Sequence, residues 1–353
     1  MNLGTGGWAS RVLTPLLRII RTSPNATVPV IAISEPVNSE TAALVNADLA
    51  LVAKGTGATL AQVPDGTTAG GNKRGTYATD WQKSRNSVTQ VASGNYSVIL
   101  GGDKNTASST YSFVGGGQYN VASTNTHATV CGGLANTASG VTAFLGGGDS
   151  NIATQQNATV AGGNNNSATA QEATVAGGAY NAANGVGSFI SGGRHGWARG
   201  IIGYHVFPAC SDPISVNLGT TQSALLLLGC ETTNATATVL VSSSGAAGTT
   251  NQVILPNNSA YSFSGEVIAG VTAAGNTARW TINGAIKRGA NAASTVMVGT
   301  PTVTMTHNDA GAAAWTVAVT ADTTNGGIAV TVTGAASTTI RWVAKITTTE
   351  MTY

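Results

Sequence analysis

The chain predicts an all-β protein in two parts: a trimeric parallel β-roll, or β-solenoid, of 15-residue repeats, then an antiparallel, jelly-roll-like β-sandwich knob. Three observations carry this. Residues 94–200 repeat seven times with a period of 15, once 16, about glycine pairs running from Gly101-Gly102 to Gly192-Gly193. That length is too short for a helix pair and suits one coil of a solenoid. Beyond residue 212 the repeat gives way to apolar runs of five to nine residues parted by polar turns. Only 8% of the 353 residues are charged, against about 25% in typical globular proteins, so solubility rests on Thr, Ser and Asn.

Residues 1–71 read as an attachment and lead-in region. In Trp8–Arg21 the apolar residues are interrupted by Pro15, Arg18 and Arg21, with no small-residue cleavage site after them, which makes a poor signal peptide. The stretch predicts a short amphipathic helix or arm in which Trp8, Leu13, Leu16, Leu17 and Ile20 make an attachment or trimer contact. Residues 72–93 are polar and carry Lys73, Arg74, Asp80, Lys83 and Arg85, a cap for the open end of a stack, as terminal coils require.

In the shaft, 94–200, each glycine pair is preceded by one aliphatic residue (Ile99, Val114, Val130, Leu145, Val160, Val175, Ile190) and, two residues further back, by Ser or Ala. This period-2 alternation predicts one short strand per coil. A coil so poor in large apolar groups predicts stacking on its neighbours and on other chains, hence a homotrimer. Seven coils at the spacing of strands in a sheet give a body on the order of 30 Å tall. An Asn recurs in six of the seven coils (Asn105, Asn120, Asn136, Asn151, Asn166, Asn181); it predicts a ladder of side-chain amides bonded to the next coil, the alternative being a glycan-binding surface. The seventh coil has Gly196 there and carries Arg194, His195, Trp197 and Arg199, either an upper cap or a receptor site combining cations with an indole.

Residues 201–211 read as a linker. In 212–353 the runs predict nine strands, with a hairpin signal at Asn325-Gly326. Trp280, Trp315 and Trp342 alternate in phase with aliphatic neighbours, which places the indoles in the core, the alternative being a sugar-stacking platform.

Other chemistries find little support. No phosphate-cradling or dinucleotide glycine motif stands in a strand-to-helix context, so no cofactor is expected. Cys131, Cys210 and Cys230 have no metal or disulfide spacing and read as small buried hydrophobes. The net charge of +2 is too small and dispersed to track a phosphate backbone, which argues against nucleic acid. No apolar run is long enough for a membrane span, so no membrane insertion is expected. Polysaccharide hydrolysis needs two carboxylates about 5–9.5 Å apart; Asp103 and Asp149 share a coil position but lie three coils apart, on the order of 14 Å, and Glu172 is elsewhere in its coil. Asp309 beside His307 reads as an ordinary turn. A non-enzymatic protein is expected.

The repeat, as in Gly132-Gly133-Leu134-Ala135-Asn136-Thr137-Ala138-Ser139-Gly140 followed by Ala158-Thr159-Val160-Ala161-Gly162-Gly163, resembles the head repeats of trimeric autotransporter adhesins, which are also common in bacteriophage tail fibres and tailspikes. The stretch from Lys54-Gly55-Thr56-Gly57 through Asp65-Gly66 to Arg74-Gly75 looks like the lead-in of phage fibre proteins of cyanophage type. The resemblance covers roughly residues 45–200. It implies a trimer binding a host surface. With no signal peptide, heptad stalk or C-terminal membrane barrel in the pattern, it implies a virion fibre attached to phage tail or capsid proteins through the N-terminal region and recognising host polysaccharide. A capsid-decorating fibre is the alternative.

Overall fold

The computed structural model describes residues 56–353 apart from Ala274, together with two short strands, Arg18–Ile20 and Val30–Ala32. These two pair antiparallel, Arg18 opposite Ala32. The stretch Trp8–Arg21, expected as a short amphipathic helix or an arm, thus ends in a strand, where Ile19 and Ile20 favour extended backbone. Trp8, Leu13, Leu16 and Leu17 lie outside the described residues. The chain from Val52 to Tyr353 forms one compact unit.

The shaft is a β-solenoid. In each coil the alternation yields a strand of only two residues, the first facing out and the second in: Thr159 is half-buried and Val160 fully buried. Nine such strands, from Thr59–Leu60 to Phe189–Ile190, stack in parallel as a first row. A second row of six runs from Thr106–Ala107 to Ala182–Ala183. Between them, single parallel bridges link Asp103, Gln118, Leu134 and Asp149 in successive coils. Two more coils than the repeat signalled thus belong to the stack, since Thr59 pairs with Thr79 and Thr79 with Val98.

The interior is narrow and dry. It consists of the aliphatic row, the Ala/Ser row two residues before it, and an Ala row on the second strands (Ala107 to Ala198), all with 0–1% exposure. One chain is enough to cover it. An unclosed core is therefore not the reason for a trimer; what a second chain could cover is the outward face. The Asn residues form the ladder expected: the Asn151 amide donates to Gly147 O at 2.9 Å and Gly163 O at 2.8 Å, and its Oδ1 accepts from Asn166 N at 2.9 Å. The glycine pairs make room for it. At Gly117 φ is +80°, and a Cβ would lie 2.1 Å from the Gly133 carbonyl of the next coil, so only glycine fits.

Near the lower end Asp80 occupies the register position of Ile99 above it and Leu60 below it, so a carboxylate interrupts the aliphatic row. Arg74 Nε and Arg85 Nη2 converge on its Oδ2 at 2.8 and 3.3 Å, all three side chains being at most 1% exposed. Gln82 ends the Asn ladder, its Oε1 accepting from Asn105 N at 2.8 Å. The polar segment is thus a buried cap as well as a coil.

At the upper end, residues 201–211 hold a strand rather than a free connection. His205–Ala209 pairs parallel with Phe189–Ile190 and antiparallel with Thr221–Thr232. The shaft therefore runs without a break into a large antiparallel sheet, which continues through Ile340–Thr352, Ser259–Val271 and Thr277–Arg288. A smaller antiparallel sheet is centred on Gly327–Thr333, with Thr316–Asp322 on one side and Thr238–Val239 and Val253–Ile254 on the other. The hairpin at Asn325-Gly326 is present, with a four-residue loop between the paired Asp322 and Gly327. The three indoles are in the core: Trp342 lies 5.6 Å from Trp280 and 5.8 Å from Trp315 between ring centres, and its Nε1 donates to Thr232 Oγ1.

Candidate functional site

The residues singled out at the last coil do not form one cluster. Arg194 continues the bridge row and Trp197 the second strand row, with Gly196 between them taking its place on the Asn ladder. Arg194 and His195 therefore turn to one corner, where Arg194 Nη1 and His195 Nδ1 each lie 3.0 Å from the Asp212 carboxylate and both stack against Tyr180. Their capacity for an anionic ligand is already taken up by Asp212.

Trp197 and Arg199 face the other way, toward a network that nothing in the local sequence announces. The Arg199 side chain is 4% exposed and its Nη2 lies 3.1 Å from Glu350 Oε2. Glu350, also buried, accepts from Gln222 Nε2 at 2.8 Å and Thr348 Oγ1 at 2.8 Å, and from the Tyr204 hydroxyl. Gln222 in turn clamps the Trp197 backbone at both its N–H and its carbonyl, each at 2.9 Å. Burial, reinforced by the Glu350 charge, pushes the hydroxyls of Tyr204 and Tyr261 well above the usual phenol range. Burial opposes the Arg199 charge as well, but Tyr261 and Glu350 more than offset it. The network fixes the shaft to the sheet through residues 151 positions apart.

Beside this network lies a groove of about 430 Å³ lined by Trp197, Arg199, Thr250, Leu255, Arg288 and Asn325 among others. It gathers two guanidinium groups, an indole, hydroxyls and an amide where the last coil meets both C-terminal sheets. Arg199 Nη1 and Arg288 Nε are enclosed there without a hydrogen-bond partner, a costly state for buried donors.

The other candidates are less suited to a ligand. Asp309 and His307 line an open depression of about 600 Å³, yet Asp309 Oδ2 accepts from Thr277 N at 2.8 Å and the adjoining Arg279 pairs with Glu266 at 2.8 Å. Asp103 and Asp149 keep equivalent places three coils apart. Asp103 is held down at about 2 by hydrogen bonds from Ser84, Gln118 and Lys104. The cysteines depart from expectation: Cys131 and Cys210 are exposed and Cys230 half-buried, because Cys131 follows the inward Val130 and so points outward. Among the described residues no three His, Cys, Asp or Glu side chains gather as a metal site requires. Compared with protein-family models and with curated proteins, the sequence matches none.

Proposed function

We propose that this chain is a non-enzymatic structural fibre of a virion, a homotrimer whose N-terminal region holds it to the particle and whose C-terminal end binds host surface polysaccharide. The observation that carries the reading is the shaft. Its core and ladder propagate from Ile99 to Ile190 without a charged residue, and its buried charges are confined to the lower cap (Arg74, Asp80, Arg85) and the upper junction (Arg199, Glu350), while Asp103, Lys104, Asp149 and Glu172 stand on the surface between them, as a rod with two specialised ends requires. The outward positions of the first row support lateral association: Leu100, Cys131, Phe144 and Phe207 are exposed, with no charge at these positions from Val98 to Phe207. A face of Phe, Thr and small residues that repeats coil by coil, with large apolar groups exposed along it, suits association, and the repetition fits a second copy of the same chain. The groove at the junction supports recognition at the C-terminal end. Three such ends on one fibre raise avidity by about two to four orders of magnitude without a deep pocket.

Purified full-length protein tests this. It is expected to sediment at three times the mass of one chain and to compete with particles for adsorption to host cells. A stable folded monomer, or a trimer that leaves adsorption unchanged at saturating concentration, contradicts the reading.

A further inference from the structure

We propose that the junction groove binds a carboxylate-bearing saccharide, the carboxylate pairing with the Arg288 guanidinium at its open Nη2 and the sugar lying against Trp197. This rests on the surface-binding reading above and adds the chemistry of the ligand. Arg288 is oriented by the protein through one nitrogen only: Nη1 donates to Leu255 O at 2.6 Å and more weakly to Gly326 O at 3.4 Å. Gly326 makes that approach possible, since its φ is +81° and a Cβ there would lie 2.3 Å from Nη1. Nε is enclosed by the protein, whereas Nη2 is open and has no hydrogen-bond partner among the described residues, which leaves it as the charge-assisted donor to a carboxylate oxygen.

The charge balance selects the ligand class. Arg199 is neutralised by Glu350, whereas Arg288 has no acidic partner among the described residues, and no carboxylate lines the groove. The nearest acid in sequence, Asp322, is taken up by its turn, accepting from Thr324 N and Asn325 N at 2.9 Å each and from Asn325 Nδ2 at 2.8 Å. One uncompensated positive charge matches a carboxylate monoanion better than a phosphate monoester, which carries about −1.5 to −2. Trp197 supplies an apolar ring face, and Thr250 and Asn325 supply hydroxyl and amide groups for sugar hydroxyls.

The test is titration of full-length protein with tri-galacturonate, its methyl ester, a neutral trisaccharide and a blocked glutamate peptide. The uronate is expected to bind at least about tenfold more tightly than its ester, because esterification removes the charge paired with Arg288 and its charge-assisted hydrogen bond. Arg288→Lys keeps the charge but not the planar group that bonds Leu255 O through one nitrogen while presenting another to the groove, and is expected to weaken uronate binding by about tenfold, with Arg341→Met, on the exposed sheet surface, leaving it unchanged. The acid-against-ester comparison needs no variant and stands even if Arg288→Lys does not fold. Equal binding of acid and ester, or no uronate binding, overturns the proposal. Equally tight binding of the glutamate peptide overturns the saccharide assignment. If uronate binding fails while the protein still blocks particle adsorption, this inference falls and the fibre reading stands; if the protein blocks no adsorption, the fibre reading itself falls.

Discussion

Replacing Asn151 by Ala tests the ladder that runs the length of the shaft. The Asn151 side chain is fully buried and makes four hydrogen bonds: to Gly147 O, Gly163 O and Asn136 Oδ1, and from Asn166 N. Two of these partners keep another bond after the change, since Gly163 O still accepts from Asp149 N and Asn136 Oδ1 from the backbone N of residue 151. Asn166 N and Gly147 O are left unpaired in a dry interior. At about 1–3 kcal/mol for each unsatisfied buried group, the cost for the two is about 2–6 kcal/mol, comparable with the whole margin of many domains. Chemical denaturation followed by circular dichroism measures it, and hydrogen exchange localises it: the amide of residue 166 should lose protection before those of distant coils. The exposed Gln155→Ala is the control, expected within about 0.5 kcal/mol of the parent. A loss at Asn151 no larger than at Gln155 would refute the ladder as a source of stability.

Val160→Asp places an unpaired charge at a fully buried position and should cost several kcal/mol, preventing folding of the shaft, whereas Thr159→Asp, facing outward, should leave the coils folded and act only on lateral association; equal loss of the circular dichroism signal in the two would mean that the strand phase is wrong. Asp80→Asn leaves the buried Arg74 and Arg85 without their counter-charge and should destabilise the lower end by about 3–5 kcal/mol, read as faster proteolysis there; a shift no larger than that of the exposed Lys83→Gln would contradict the cap. Burial pushes the Cys230 thiol up to about 11. Since a raised pKa means less thiolate near pH 8, Cys230 should be alkylated much more slowly than the exposed Cys210, gaining rate as the pH rises toward 11, and equal rates by mass spectrometry would refute this.

How far the sequence reached depended on whether a signal was local. The seven regular coils, their strand phase and the buried indoles were legible because period and alternation sit within a few residues of each other. The two lowest coils were not: their strands begin at Thr59, Thr79 and Val98, so the spacing is irregular, and Asp80 stands where the repeat has an aliphatic residue. The cluster from Arg194 to Arg199 was read as one patch because its members are neighbours in sequence, but the solenoid turns Arg194 and Trp197 into different rows. Arg288 and Glu350 gave no signal, since each is a lone charge on a strand whose partners are set by sheet pairing across long separations. Trp197 and Arg199 were the only part of the groove that local sequence could reveal.

As the virion fibre proposed above, the chain should have one defined position on the intact particle. Electron microscopy of intact virions labelled with antibody against residues 212–353 is expected to place the label at the free ends of tail fibres. Label spread over the capsid surface would favour a decoration fibre instead. Particles with no label at all would contradict the account.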